Sequence, residues 1–329
     1  MTTPRPPAFV NDLETCVGCQ ACAIACANEH QLPHGTSWRQ VVTFNEERWP
    51  GLPTFHLSLA CNHCLDAPCL TACPAAAITR DTRTGAVLIA DDACIGCRYC
   101  SWVCPYDAPR FDSAIGVMRK CTFCHARQAN GLSPACVAAC PVGALAVGAP
   151  VEGPAPPVSG FPETSLTPSI RFLPLRARAA SADASAPRAA PPGLPPLQTI
   201  RSTKISARSE WTLVAFTLIA QALVGITLAA AAGRLRVHPL AVLLPGLAAI
   251  TVSTMHLGQP LRAWRAITNV RSSWLSREIA SWSVFLALTA ATLLFDLGPC
   301  SRTTWRTIRG SPTAWASSRR SSRSSASTT

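Results

Sequence analysis

Apolar positions are concentrated late in the chain. The run "WTLVAFTLIAQALVGITLAAAA" (211–232) goes 22 residues without a charge. "VHPLAVLLPGLAAITVSTMHLG" (237–258) is a second such run, with histidines near both ends, and "IASWSVFLALTAATLLFDLG" (279–298) is a third, with Asp296 near its end. Each matches the roughly 20 residues that cross a hydrocarbon core as a helix. Trp211 and flanking arginines mark the edges, as interfacial residues do. The alternative is a buried helix of a soluble domain, and three successive runs of this length argue against it. Upstream the pattern changes. Residues 1–148 are short segments punctuated by Gly, Pro and Cys, while residues 149–208 hold 12 prolines among many Ala and Ser with no sustained period. The pattern predicts a domain over 1–148, a Pro/Ala-rich linker over 149–208, and an all-α membrane anchor of three helices over 209–299. Residues 300–329 follow, with nine Ser, six Arg and no acid after Cys300; they read as a disordered tail or a frameshifted gene end.

Charge sharpens this division. The net charge is +12, and it splits into −1 over residues 1–148 and +13 over 149–329. The basic half is also the apolar half, which suits a membrane surface better than a phosphate backbone. With no basic-aromatic patch or binding motif beside it, nucleic acid is not an expected partner.

The cysteines carry the chemistry. Sixteen of the 17 fall between Cys16 and Cys140, in four runs. They are Cys16, Cys19, Cys22, Cys26; Cys61, Cys64, Cys69, Cys73; Cys94, Cys97, Cys100, Cys104; and Cys121, Cys124, Cys136, Cys140, the last interrupted by an eleven-residue insertion. Three runs end in Cys-Pro. The N-terminal "MTTPRPPAFVNDLE" has no apolar signal region and no twin arginine, so a secreted disulfide scaffold is not expected. The spacing C-x₂-C-x₂-C-x₃-C-P is that of bacterial [4Fe–4S] sites. Three close thiolates on a tight loop can bind three corners of one cube, and the fourth leaves on a helical turn toward another. Gly18 and Gly96 are small enough to let backbone N–H groups approach the sulfurs. Sixteen thiols match four cubes with none spare. Zinc also uses C-x₂-C pairs, but not four triplets with a trailing cysteine. His30, His34, His56, His63 and His125 are then better read as surface or supporting residues. No catalytic constellation accompanies the runs, so the chain reads as a non-catalytic electron carrier.

The runs "CIGCRYCSWVCPYDAPRF" and "CTFCHARQANGLSPACVAACPVGAL" resemble the four-cluster iron–sulfur subunits of the dimethyl sulfoxide reductase family, which serve a molybdopterin catalytic subunit. The resemblance covers about residues 8–148. It implies an α+β fold of tandem bacterial-ferredoxin-like domains, with distant runs cross-paired. Cys16, Cys19 and Cys22 would share a cube with Cys140, and Cys121, Cys124 and Cys136 one with Cys26. Cys61, Cys64 and Cys69 would join Cys104, and Cys94, Cys97 and Cys100 would join Cys73. The stretch "STMHLGQPLRAWRAITNVRSSWLSREI" (253–279) resembles the same family's membrane anchor, which implies that His256 and Glu278 are quinol-site residues. His and Glu could take the protons a quinol releases with its electrons. The plainer alternative pairs Glu278 with Arg277 or Arg262 and gives His256 a helix-capping role. Haem is not expected, because His238 and His256 stand about 27 Å apart along a helix.

The expected function is electron transfer between a quinone or menaquinone pool and a molybdopterin partner, through four [4Fe–4S] clusters. The alternatives are a membrane-tethered ferredoxin without quinone chemistry and the subunit of a quinone-reducing dehydrogenase. The family's anchor is usually a separate chain of eight helices. The fusion here stops after three, which leaves room for a further anchor chain. The expected location is the cell inner membrane, multi-pass. Arg201, Lys204, Arg208, Arg262, Arg265, Arg271 and Arg277 outnumber Arg234 and Arg236, which places the cysteine domain on the cytoplasmic face. The periplasmic face is the alternative, since reductase-type members are often carried outward by their partner's signal.

Overall fold

A computed structural model of the chain describes residues 7–48, 53–151, 153, 158, 160–173 and 210–297. The tail expected over 300–329, with Cys300, lies outside these residues, as do 174–209 of the expected linker and its Arg201, Lys204 and Arg208. The described residues divide into two compact units. One takes in the chain up to Trp211 together with Thr254–Ile279; the other takes in Thr212–Ser253 and the residues from Ala280 onward.

The first unit is α+β, built from short strands around cysteine-bearing turns. Strand β1 (Ala8–Asp12) is followed by three antiparallel hairpins: β2 (Gln40–Phe44) with β3 (Phe55–Leu59), β4 (Ile78–Arg80) with β5 (Val87–Ile89), and β6 (Arg110–Asp112) with β7 (Val117–Arg119). The closing strands β8 (Leu145–Gly148) and β9 (Ile170–Leu173) flank β1 in a three-stranded sheet. Phe9 lies opposite Val147 in antiparallel register and opposite Ile170 in parallel register. Five short helices fill the turns: α1 (Ala21–Glu29), α2 (Pro68–Ala72), α3 (Tyr99–Trp102), α4 (His125–Ala129) and α5 (Ala135–Ala138).

Strand β9 corrects the expected linker, which was to begin at residue 149. "IRFL" alternates buried and exposed, and Ile170 and Phe172 enter the core with Phe161. Phe161 stacks on Tyr106, with ring centroids 5.1 Å apart, and meets Phe172 edge-on at 5.0 Å. The proline-rich composition hid a strand that needs only four residues of period 2 to bury one face.

The second unit is helical. Helices α6 (Trp211–Ala231) and α8 (Trp274–Leu297) contain the two stretches that, among the described residues, are long and apolar enough to cross a membrane. Helix α7 (Pro239–Thr254) has only 16 residues, about 24 Å at 1.5 Å each, against the roughly 30 Å of a hydrocarbon core. The expected span 237–258 is therefore shorter as a helix, because Pro239 opens it and the chain turns away after Thr254. Helix α8 starts five residues earlier than the expected span at 279, so Glu278 lies inside it. Phe216, Leu223, Val242, Ala249, Trp282 and Leu286 form the inner seam. Gly246 leaves room for Leu286. Leu218, Leu228, Leu244, Leu288 and Leu294 point outward and are more than half exposed, as a lipid-facing surface requires.

Candidate metal centres

All sixteen described cysteines are free thiols. The same local geometry recurs at the first cysteine of each run. The backbone N–H two residues on donates to its sulfur: His63 to Cys61 at 3.5 Å, Gly96 to Cys94 at 3.4 Å, Phe123 to Cys121 at 3.4 Å, and Gly18 likewise to Cys16. Folding that amide back needs a left-handed backbone, with φ of 67° at Gly18, 43° at His63, 68° at Gly96 and 58° at Phe123. The glycines adopt it freely. His63 and Phe123 adopt it against their preference, and packing holds them there. Both are about 1 % exposed, and their rings meet at a tilt of 57° with centroids 5.2 Å apart. Sequence reading found the two glycines and missed their bulky equivalents.

The third cysteine of each run sits on a helix, and the fourth emerges about one turn later. Cys22 and Cys26 both lie on α1; Cys69 lies on α2 and Cys73 caps it; Cys100 lies on α3 with Cys104 beyond it; Cys136 lies on α5 with Cys140 beyond it. The structure brings the thiols together across runs. Cys16, Cys19, Cys22 and Cys140 line one cavity, with Asn11; Cys61, Cys64, Cys69 and Cys104 line another, with Asn62, His63 and Lys120. Burial pushes the Cys124 thiol up to about 11, and charge at Cys136 and Cys26 adds to it. Burial pushes Cys97 up to about 12, and its charged neighbours are Cys73 and Cys94. Cys100 is raised by burial and then by Cys97, Cys69, Cys94 and Cys73. Four neighbourhoods result, each mixing two runs: a first set (Cys16, Cys19, Cys22, Cys140), a second (Cys26, Cys121, Cys124, Cys136), a third (Cys61, Cys64, Cys69, Cys104) and a fourth (Cys73, Cys94, Cys97, Cys100). Charge at Cys61 reaches Cys121 and charge at Cys69 reaches Cys100, so successive sets are neighbours.

The donor chemistry fits iron–sulfur cubes. Among the described residues no three His, Cys or acidic side chains converge on a single ion, whereas four thiols line one larger cavity in each of two cases. The side-chain amides of Asn11 and Asn62 are buried at those cavities without a hydrogen-bond partner among the described residues. Bound sulfide would give their N–H groups an acceptor.

One more element reaches the cysteines. The segment between α7 and α8, which includes a 3-10 helix over Pro260–Ile267, lies on the turns of the fourth set. Gly258 N–H reaches the Gly96 carbonyl at 3.5 Å, and Gln259 N–H the Ile95 carbonyl at 3.1 Å. Arg262 donates to the carbonyls of Asp91 (2.8 Å) and Cys94 (3.2 Å), and Asn269 Nδ2 to that of Cys73 (2.8 Å). Ser273 Oγ donates to Ala72, and Ser276 Oγ lies within reach of both Pro74 (3.2 Å) and Ala266 (2.7 Å). A Cβ on Gly96, Gly116 or Gly258 would collide with the backbone of another of the three. His256 is half-buried two residues before Gly258, and Glu278 is exposed on α8. Sequence reading treated this basic stretch as interfacial; its docking on Cys73 and Cys94 was not visible there.

Residues 53–150 match the family described as a 4Fe–4S dicluster domain, and residues 206–308 match the DMSO reductase anchor subunit (DmsC). The protein is 33% identical over 193 residues to a chain of the anaerobic dimethyl sulfoxide reductase of Haemophilus influenzae, covering 54% of this sequence and 93% of that one. It is 36% identical over 148 residues to a chain of the anaerobic dimethyl sulfoxide reductase of Escherichia coli K12 (43% and 72% covered). It is also 36% identical over 200 residues to a subunit of the sulfite dehydrogenase of Allochromatium vinosum (51% and 83% covered).

Proposed function

Because this protein belongs to the dimethyl sulfoxide reductase family of iron–sulfur subunits, here joined to the family's anchor domain, we propose that it relays electrons between a membrane quinone and a molybdopterin catalytic partner through four [4Fe–4S] clusters. When bound, such clusters supply one-electron carriers. The thiols that would hold them are the four sets above, each taking three ligands from one run and the fourth from another.

The observation that carries the quinone end is the docked segment. It begins two residues after His256, ends near Glu278, and in between hydrogen-bonds the carbonyls of Cys73 and Cys94. A quinol oxidised beside His256 and Glu278 would leave its protons to those side chains and its electrons to the fourth set. The opposite end, at the first set, has an exposed Cys19 with exposed Val17 beside it, which suits the catalytic partner. The inner membrane is the proposed location, with the cysteine domain facing the cytoplasm. The likeness to a sulfite dehydrogenase subunit supports a second reading with the electrons running toward quinone.

The test is Glu278→Gln in the purified complex. Quinol-driven bleaching of the cluster absorbance should slow strongly while dithionite still reduces the clusters fully. Unchanged quinol-driven reduction removes the quinone role.

A further inference from the structure

Two cations are buried in the cysteine domain without an acid beside them. Arg39 is 1 % exposed and Lys120 3 %. Among the described residues neither pairs with a carboxylate. Arg39 Nη1 donates to the Ser58 carbonyl (2.9 Å) and hydroxyl (3.0 Å), its guanidinium lies over the Phe9 ring at 4.3 Å, and Nη2 has no partner among the described residues. Lys120 Nζ donates to the carbonyls of Val87 and Cys121, and the Cys61 thiol is the neighbour that acts on it most strongly. A buried, unpaired cation is strongly unfavourable unless an anion completes it.

The positions of the two cations say where the anions would be. Ser58 Oγ, having accepted from Arg39, lies 3.3 Å from Cys22 Sγ and can donate to it. Cys26, one turn along α1, is also within the field of Arg39, as are Cys121 and Cys136. Arg39 therefore stands between the first and second sets. Lys120 bridges Cys61 of the third set and Cys121 of the second. The thiols that act most strongly on the two cations all belong to the first three sets.

We propose that Arg39 and Lys120 are internal counter-charges that raise the reduction potentials of the clusters at the first two junctions of the row, leaving the fourth cluster without them. This rests on the four-cluster reading. A cluster with four thiolate ligands is an anion and gains one more negative charge on reduction, so a fixed cation nearby favours the reduced form. The Ser58 hydroxyl carries part of this effect to Cys22. A merely structural Arg39, clamping β3 through Ser58 and stacking on Phe9, would leave the potentials where they are.

The experiment is a redox titration of the intact, iron-loaded complex followed by EPR, with Arg39→Gln, Lys120→Met and Arg39→Lys. Arg39→Gln should shift the first and second clusters at least tenfold toward the oxidised form at a given ambient potential, about 59 mV for one electron. Lys120→Met should do the same for the second and third, and the fourth should not move in either. Full iron content with all four potentials unchanged overturns the inference. If the neutral variants fail to load iron, Arg39→Lys decides. Reduced-to-oxidised ratios within twofold of the parent support a charge role, and a tenfold fall with the charge retained overturns it. A parent protein lacking about sixteen irons would instead overturn the four-cluster reading itself.

Discussion

Cys22 and Cys26 are neighbours on one turn of helix α1, yet they belong to different sets. Cys22 shares a cavity with Cys16, Cys19 and Cys140, while Cys26 lies beside Cys136 and Arg39. Residues four apart on a helix share a face but are displaced along the axis by about 6 Å. One short helix can therefore serve two adjacent clusters. The same offset recurs at Cys69 and Cys73.

Replacing Cys26 should damage the far end of the domain, not its own run. Cys26→Ala is expected to remove the cluster held with Cys121, Cys124 and Cys136, about four of roughly sixteen irons, and to keep the one held by Cys16, Cys19 and Cys22. Iron analysis with EPR checks this. Loss of the first cluster alone would contradict the cross-run sets.

Gly258→Ala should loosen the segment between α7 and α8. The new methyl group would meet the Gly116 carbonyl, where no flexible side chain can yield. Overpacking of this kind costs about 1–3 kcal/mol. Hydrogen exchange at Gly258 and Gln259 should accelerate while iron content holds. Unchanged protection would mean that the three glycines do not need to meet.

Ser276→Ala tests the same contact from the other side. The hydroxyl is fully buried between two carbonyls, so its removal takes from Ala266 the donor at 2.7 Å, while Pro74 keeps the Asn269 N–H at 3.2 Å. The expected loss is about 1–3 kcal/mol, read as a lower thermal midpoint for the cysteine domain. Ser272→Ala, at an exposed hydroxyl that bonds only its neighbour Asn269, is the control and should shift it little.

Iron removal should undo the cysteine domain, because cysteines stand inside both of its hydrophobic clusters, with Cys22, Cys61, Cys121 and Cys136 in the first, and would lose the group that joins them. Structure that survives without iron should be sensitive to alkali. Burial pushes the Cys69 and Cys97 thiols up to about 12 in the folded chain, against an unfolded value near 8.5. The folded state thus holds its protons more tightly. That stabilisation is complete below the unfolded value and is lost as pH rises toward 12. Circular dichroism of the iron-free protein should therefore show unfolding between about pH 8.5 and pH 12, with the iron-loaded protein resisting over the same range.

The cysteine runs were legible because their signal is local. In the first and third runs, three thiols within seven residues and a fourth one helical turn on can be read without knowing the fold. The pairing of Cys26 with Cys136, over a hundred residues away, came only from resemblance to a family, since spacing within a run cannot reveal its distant partner. Strand β9 was hidden by the prolines around it. The burial of Arg39 and Lys120 left no mark in the sequence, because nothing in their flanking residues announces it. Arg262 and Asn269 looked interfacial for the same reason: their partners are backbone carbonyls, which leave no mark in sequence. Helix α7 came out short because Pro239 opens it and the chain turns off after Thr254, features that a window of apolar residues averages away.

The parallel pairing of β1 with β9 means that the cysteine domain is closed by residue 173, before the long proline-rich stretch begins. The later segment over Thr254–Ile279 then grips it by hydrogen bonds of its own. Two attachments serve one purpose: the covalent stretch keeps the segment at high effective concentration, and the hydrogen bonds hold it to the cysteine turns. A protein nicked between 174 and 209 should accordingly stay together as a two-piece assembly, so the fusion reads as a convenience of supply and not a condition of contact.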